Sequence, residues 1–192
     1  PALCLFACEA VGGDWPQALP AAAAIELIHN FSLIHDDIQD GDERRHHRPT
    51  LWHCWGLSHG LNAGAAMNVL AHQALFEDSE APLPATITLE VSRILTNACA
   101  QMIEGQVLDL SYEQRASVCV EDYLLMIGKK TGALLESAPH IGAVIGSRNE
   151  ATIEGMRRFG KGVGLLFQVR DDILGTWGLE EATGKPAASD LH

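Results

Sequence analysis

The chain has 192 residues, of which 47% are hydrophobic and 20% are charged, and this balance excludes both a disordered tail and a membrane-embedded chain. Its 25 acidic residues outnumber 13 basic ones, and the formal net charge of −12 argues against a nucleic-acid partner. No apolar segment reaches the roughly 20 residues that span a bilayer, so no membrane span is predicted. The five cysteines lie among apolar neighbours without a Cys-x-x-Cys pair, which predicts buried, reduced thiols in a cytoplasmic protein.

Helical periodicity runs along most of the chain and strand alternation is rare, which predicts an all-α fold. Glycines, prolines and polar clusters separate the predicted helices. We expect these helices over residues 3–11, 21–38, 57–76, 85–112, 120–127, 131–145 and 151–173. A charged loop over residues 41–49 is expected to be exposed and available to ligands. Because no linker or repeat is visible, residues 1–192 are predicted to form a single domain.

Three aspartates, Asp36, Asp37 and Asp40, stand at the end of the second predicted helix. Asp36 and Asp40 are one turn apart and share a helix face, so their charges repel unless a cation neutralises them. Carboxylates suit Mg²⁺, which commonly binds one or two of them together with phosphate oxygens. A solvated acidic helix end is the alternative, but negative charges at a helix C-terminus oppose the helix dipole.

A second acidic pair, Asp171 and Asp172, follows an apolar stretch near the other end of the chain. We expect two helices to bring the two acidic groups to one cavity from opposite sides. An acidic chain can bind a phosphorylated small molecule when divalent cations lie between carboxylates and phosphate. The pattern therefore indicates a diphosphate-binding site.

Six segments resemble the motifs of one enzyme family. They are HDDIQD at residues 35–40, RPTLW at 48–52, EGQ-x-x-DL at 104–110, GKKTGALL at 128–135, FQVRDDILG at 167–175 and TGKPAASDL at 183–191. In this order and spacing the chain is similar to the trans-isoprenyl diphosphate synthases, also called polyprenyl synthetases. The resemblance implies an isoprenoid synthase helical bundle around a central cavity, a homodimer, and condensation of isopentenyl diphosphate with an allylic diphosphate.

The resemblance also implies roles for individual residues. Three Mg²⁺ ions are expected to bind at the acidic motifs, whose metal-binding set is Asp36, Asp37, Asp40, Asp171 and Asp172. Substrate contacts are expected from a polar set that comprises His29, Arg45, His46, Gln106, Asp109, Lys130, Thr131, Gln168 and Lys185. The residues expected to act directly in catalysis are Asp36, Asp40, Arg45, Lys130, Asp171 and Lys185.

Several positions depart from the family pattern. His46 stands in place of a second arginine, Ala65 in place of an aspartate, and Gly175 in place of the third aspartate of the second motif. The family's basic N-terminal motif would precede Pro1, and its C-terminal helices would follow His192. The chain is therefore expected to be the core part of the domain, truncated at both ends, and to turn over poorly by itself.

Two residues before the first acidic motif bear on product length. Phe31 is five residues before Asp36 and Ser32 is four, so at about 1.5 Å per residue Phe31 lies roughly 7 Å deeper along the cavity wall. By resemblance a bulky ring at this position suits a C15 to C20 product. The alternative is that Phe31 is an ordinary core aromatic.

Two other functions stay open at this stage. A class I terpene cyclase is the first, because Asp172, Thr176 and Glu180 have the spacing of its second metal motif, although Gly175 and Gly178 would interrupt the helix. The second is a non-catalytic subunit of a heteromeric synthase, which the substituted motif positions suggest. A dimer interface is expected on the apolar face that includes Leu61, Met67 and Leu70, although core packing would produce the same pattern.

Overall fold

The helical periodicity corresponds to an all-α architecture, as predicted. The computed structural model describes residues 1–76 and 82–177. Its α-helices are α1 (Ala2–Ala10), α2 (Leu19–Gln39), α3 (Leu51–Trp55), α4 (Leu57–Ala74), α5 (Ala85–Tyr112), α6 (Val120–Ile127), α7 (Ala133–Gly146) and α8 (Glu150–Trp177). Helix α2 packs along α4, and α7 contacts α1, α5 and α8.

Three short elements depart from the predicted boundaries. A 3₁₀ turn, Trp15–Ala18, occupies the loop expected before α2, which itself begins two residues earlier than predicted. The charged loop contains a two-stranded antiparallel hairpin of β1 (Arg44–Arg45) and β2 (Arg48–Pro49). A π-helical turn, Gly128–Gly132, joins α6 directly to α7, so the expected break before residue 131 does not exist. We refer to this segment as the π-turn.

The last helix is longer than predicted. The expectation that Gly175 interrupts it is wrong, because α8 continues through this glycine to Trp177. Glycine lowers helix propensity by only about 1 kcal/mol relative to alanine, and the tertiary packing of a long helix can exceed that cost.

The core lies where α1, α2, α5 and α7 meet. Its largest fully buried side chains include Ile28 of α2, Leu95 of α5, and Ile141 and Val144 of α7. Small residues let α7 approach α1 closely, since a Cβ on Gly142 would collide with the carbonyl oxygen of Cys4. Packing against neighbouring helices thus stabilises the helices that meet in this core beyond what their length and propensity provide.

The prediction of buried thiols is correct for only part of the cysteines. All five are free, and Cys4, Cys8 and Cys99 are buried in the core. Cys54 and Cys119 are exposed, which corrects the expectation. Cys119 precedes α6, and its sulfur accepts a hydrogen bond from the backbone N–H of Asp122 at 3.4 Å. Its apolar sequence neighbours had suggested burial, but they belong to an exposed connection before the helix.

No helix within residues 1–76 and 82–177 is long and apolar enough to cross a membrane.

Candidate functional site

Lys130 lies between two carboxylates that come from different helices. Its Nζ is 2.5 Å from Oδ2 of Asp109 on α5 and 3.3 Å from Oδ1 of Asp36 on α2. The three side chains are only about a quarter to a third exposed, so solvent screens their charges incompletely. The structure therefore brings together three residues that the sequence motifs assigned separately to a diphosphate site.

Close backbone packing holds the π-turn, and with it Lys130, at this position. A Cβ on Gly105 of α5 would collide with the backbone nitrogen of Lys130, so only glycine permits this approach. On the opposite side, a Cβ on Gly164 of α8 would lie 2.8 Å from the Cα of Gly132. The extra residue of a π-turn often occurs at functional sites, where it changes the direction of a side chain.

The acidic cluster around Lys130 changes the ionisation of its members. Partial desolvation, followed by the charge on Asp36, raises the pKa of Asp40 to about 6. Burial by itself would lower the pKa of Lys130, but Asp36, Asp109 and Asp40 together raise it above the ordinary value. The lysine is therefore firmly cationic beside carboxylates whose mutual repulsion it relieves.

Arg45 pairs with the other side of the first acidic motif. Its Nε is 2.6 Å from Oδ1 of Asp37, and its Nη2 is 3.3 Å from Oδ2 of Asp36. Asp37 is 6% exposed, and this burial raises its pKa although Arg45 acts in the opposite direction. Asp37 thus anchors the arginine, while Asp36 contacts both Arg45 and Lys130.

The hairpin that carries Arg45 has an unusual turn. His46 and His47 join its strands with positive φ angles of 49° and 64°, the pattern of a type I′ turn that usually contains asparagine and glycine. Nη2 of Arg44 donates a hydrogen bond to the carbonyl oxygen of His47 at 2.9 Å. The turn keeps Arg45 directed at Asp37 at the cost of left-handed backbone at two histidines.

A groove of about 520 Å³ lies between α2, the hairpin and α3. It is lined by Asn30, Leu33, Ile34, Asp37, Arg45, His46, Arg48, Pro49, Thr50 and Leu51. Asp36, Asp40 and Lys130 do not line this groove, so it lies on a different face of α2 from the contact between Asp36 and Lys130. Arg45 connects the two, because it lines the groove and also contacts Asp36.

A chain of hydrogen bonds fixes the second acidic motif. The Thr131 hydroxyl donates to Oε1 of Gln168 at 2.6 Å, and Nε2 of Gln168 donates to Oδ1 of Asp172 at 2.7 Å. The Tyr123 hydroxyl donates to Oδ2 of Asp172 at 2.5 Å. Adjacent residues of the π-turn are therefore connected to the two acidic motifs. Lys130 contacts Asp36 directly, and Thr131 is connected to Asp172 through Gln168.

The donor set fits Mg²⁺ that is shared with a phosphorylated ligand. Asp36 and Asp40 stand one turn apart on α2, and Asp171 is exposed on α8. Among the described residues no three His, Cys, Asp or Glu side chains form a complete cage for a metal. Mg²⁺ rarely uses such a cage and commonly takes one or two carboxylates plus phosphate oxygens, which agrees with this arrangement.

Other predicted site residues have varied surroundings. Nε2 of Gln106 is buried without a hydrogen-bond partner in the described part of the chain. His29 is exposed, and the Ser32 hydroxyl donates to its carbonyl oxygen at 2.7 Å.

Phe31 is 6% exposed within the core, with its ring against His35 at 4.9 Å between centroids. Lys185 lies outside the described residues, as do Gly178 and Glu180.

Sequence reasoning missed Tyr123. No motif marks it, and the one available signal was a tyrosine within an otherwise apolar stretch of α6, since a partly buried phenol needs a hydrogen-bond partner. Only the packing of α6 beside α8 reveals that Asp172 is that partner.

Comparison with known proteins identifies the family of this chain. The family model for polyprenyl synthetase matches residues 1–192. The (2E,6E)-farnesyl diphosphate synthase of Mycobacterium tuberculosis is 41% identical over 192 residues, which are 100% of this chain and 52% of that protein. The short chain isoprenyl diphosphate synthase of Methanothermobacter thermautotrophicus is 40% identical over 191 residues, which are 100% of this chain and 58% of that protein.

Solved structures resemble the fold closely. Geranylgeranyl pyrophosphate synthetase from Pyrococcus horikoshii Ot3 matches with a TM-score of 0.93 and 40% identity, over 98% of this chain and 57% of that one. Polyprenyl synthetase from Streptomyces coelicolor A3(2) matches with a TM-score of 0.90 and 44% identity, over 100% of this chain and 55% of that one. The chain thus has the isoprenoid synthase helical fold, and it spans about half the length of the curated relatives it matches.

Proposed function

Because this chain belongs to the polyprenyl synthetase family, we propose that it carries the reaction centre of a Mg²⁺-dependent trans-prenyltransferase. The reaction condenses isopentenyl diphosphate with an allylic diphosphate to a short-chain, all-trans prenyl diphosphate. The observation that carries this proposal is the position of the π-turn, where Lys130 contacts Asp36 and Thr131 contacts Gln168. A cation held between two carboxylate-bearing helices is suited to a diphosphate that is released as an anion.

Reaction starts with cleavage of the allylic C–O bond, which leaves an allylic cation and a diphosphate. Lys130 and Arg45 stabilise the negative charge that develops on the diphosphate oxygens, and Lys185 is proposed to do the same. Asp36, Asp40 and Asp171 would hold Mg²⁺, which when bound would supply further positive charge to this leaving group. Asp109 orients Lys130 through its 2.5 Å contact, and Gln106 is assigned to the diphosphate by the family resemblance.

The second substrate then supplies the electrons of the new bond. The double bond of isopentenyl diphosphate attacks the allylic cation and forms the new C–C bond. The resulting carbocation then loses a proton to the released diphosphate, which leaves a neutral hydrocarbon chain. We assign His46 to the diphosphate of isopentenyl diphosphate because it lines the groove beside Asp37, and His29 by the family resemblance. Arg45 is assigned to both diphosphates, because it lines this groove and also contacts Asp36. His46 binds an anion more weakly than arginine, because imidazole lacks the fork of donors that contacts a diphosphate bidentately.

Product length is proposed to depend on Phe31 and Ser32, which lie on α2 about one turn before the first acidic motif. Phe31 belongs to the buried core, so a product that reached it would meet a fixed ring. The proposed product is C15 to C20. Changing Phe31 to leucine keeps most of the side-chain volume while removing the ring, and longer products by mass spectrometry would support this role. Unchanged product length in a folded variant would reject it.

A homodimer is proposed through the outer face of α4. Leu61 and Leu70 are 45% and 50% exposed, whereas Met67 is partly buried against the core. Sedimentation equilibrium measures the mass in solution, and a monomer at micromolar concentration would reject a stable dimer. The cytoplasmic location and the single-domain organisation stay predictions from the sequence.

Labelled isopentenyl diphosphate tests the proposed reaction directly. The complete protein, should this chain be part of a longer one, is incubated with Mg²⁺, dimethylallyl or geranyl diphosphate and the label, and extracted products are analysed by chromatography. Incorporation into a longer prenyl diphosphate supports the synthase. Ionisation of the allylic substrate without incorporation indicates a terpene cyclase, and no reaction until another synthase subunit is added indicates a non-catalytic partner.

A further inference from the structure

Tyr123 and Gln168 together occupy both oxygens of the Asp172 carboxylate. The tyrosine hydroxyl donates to Oδ2 at 2.5 Å, and the Gln168 amide donates to Oδ1 at 2.7 Å. All three side chains are partly buried, so these bonds are shielded from competing water. In contrast, the neighbouring Asp171 is exposed and makes no hydrogen bond or ion pair within the described residues.

The same contacts determine how α8 is rotated. Gln168 and Asp172 are four residues apart and share a face of α8, while Thr131 and Tyr123 come from the antiparallel run of α6 and the π-turn. Thr131 contacts Gln168, and Tyr123 contacts Asp172. Because both contacts lie on one face of α8, a rotation of this helix about its axis would break both of them.

We propose that Tyr123 is a positioning residue that holds Asp172 against α6 and thereby leaves Asp171 as the carboxylate of this motif presented to Mg²⁺ and diphosphate. This inference rests on the proposed function and assigns the two aspartates different roles. Asp172 is the anchor, since both of its oxygens are engaged, and Asp171 is the metal ligand. Tyr123 touches neither substrate nor metal in this scheme and acts through Asp172.

The chain contains a matched control for removal of the phenol hydroxyl. Tyr112 is also packed, with 8% exposure and Arg115 4.5 Å above its ring, but its hydroxyl makes no hydrogen bond within the described residues. Tyr123→Phe and Tyr112→Phe therefore remove the same atom, and only the first removal breaks the contact with Asp172.

Mg²⁺-dependent binding of inorganic diphosphate, measured by calorimetry, is the first readout. We expect Tyr123→Phe to raise the Mg²⁺ concentration for half-maximal binding at least fivefold, and Tyr112→Phe to leave it unchanged. In condensation assays of the complete protein, the same fivefold requirement for Mg²⁺ should appear at saturating substrate. Equal Mg²⁺ requirements for the two variants would overturn the proposal.

A double-mutant cycle between Tyr123→Phe and Asp172→Ala, followed by urea unfolding in EDTA, tests the contact without metal or substrate. Non-additive unfolding free energies support the anchor, and additive ones overturn it. The cycle also separates the two hypotheses. If the unmodified protein binds no diphosphate but the cycle is non-additive, the proposed function fails while the structural anchor stands.

Discussion

Nζ of Lys130 lies 3.3 Å from Oδ1 of Asp36, although the two residues come from opposite halves of the sequence. The same nitrogen is 2.5 Å from Oδ2 of Asp109, so one lysine joins the first acidic motif to the acidic end of α5. Asp40 also acts on this lysine, so three carboxylates surround one cation and a net negative charge remains. A phosphorylated ligand meets a mixed site rather than a purely negative one.

Replacing Lys130 with alanine is expected to abolish most of the activity. We expect a roughly 100-fold or greater loss of condensation rate, because an electrostatic donor to the developing diphosphate charge is removed. Lys129→Ala is the matched control, since Lys129 pairs at 2.5 Å with the exposed Glu104 and its loss should change the rate by less than about threefold. Steady-state kinetics of both variants decide the matter, and similar losses would refute a special role for Lys130.

Gly105→Ala tests whether the close approach of α5 positions the π-turn. The new Cβ would collide with the backbone of Lys130, and we expect a loss of roughly 2–3 kcal/mol in unfolding free energy. Gly128→Ala is the control, because its Cβ would meet Leu165 at an ordinary 3.7 Å, and its stability should change by less than about 1 kcal/mol. Urea unfolding measures both. A neutral Gly105→Ala would show that the π-turn can shift freely.

Asp40 should make stability depend on pH in EDTA. Its folded pKa of about 6 lies above the ordinary value of an aspartate, so the folded state binds the proton more tightly than the unfolded state. The ionised carboxylate therefore destabilises the fold fully above pH 6, and this penalty disappears as the pH falls toward 4. Asp40→Asn should be more stable than the unmodified protein at pH 7.5, with a smaller difference at pH 5. Equal differences in the urea midpoint at both pH values would contradict this.

His47→Gly should stabilise the hairpin that carries Arg45. Its φ of 64° is a left-handed conformation that costs a histidine about 1–2 kcal/mol, and glycine avoids that cost while losing more chain entropy on folding. We expect a net gain of about 0.5–1 kcal/mol. His47→Ala removes the same ring without relieving the backbone, so it should bring no gain. Thermal unfolding of His47→Gly and His47→Ala gives the two midpoint temperatures. Equal midpoints for the two variants would argue against backbone strain at residue 47.

Much of the fold could be predicted from local patterns. Helices α5 and α6 have the predicted boundaries, because Pro84 ends the preceding segment and Cys119 and Asp122 start α6. The left-handed turn at His46 and His47 could not be predicted, since positive φ is uncommon even for histidine and the hairpin depends on the pairing of Arg45 with Asp37. The π-turn was equally hidden, because it depends on the glycines that pack against it from two other helices.

The sequence by itself determined the helical class, the two acidic motifs and the residue types suited to a diphosphate, because periodicity and i, i+4 spacing are properties of a single helix. Only the tertiary structure decided which charges meet. It placed Lys130 between Asp36 and Asp109, and it separated Asp172, held by Tyr123, from the exposed Asp171. The physical reason is that such pairings depend on how closely neighbouring helices pack. Gly105 sets the distance between α5 and the backbone of Lys130, although it has no side chain to take part in the reaction.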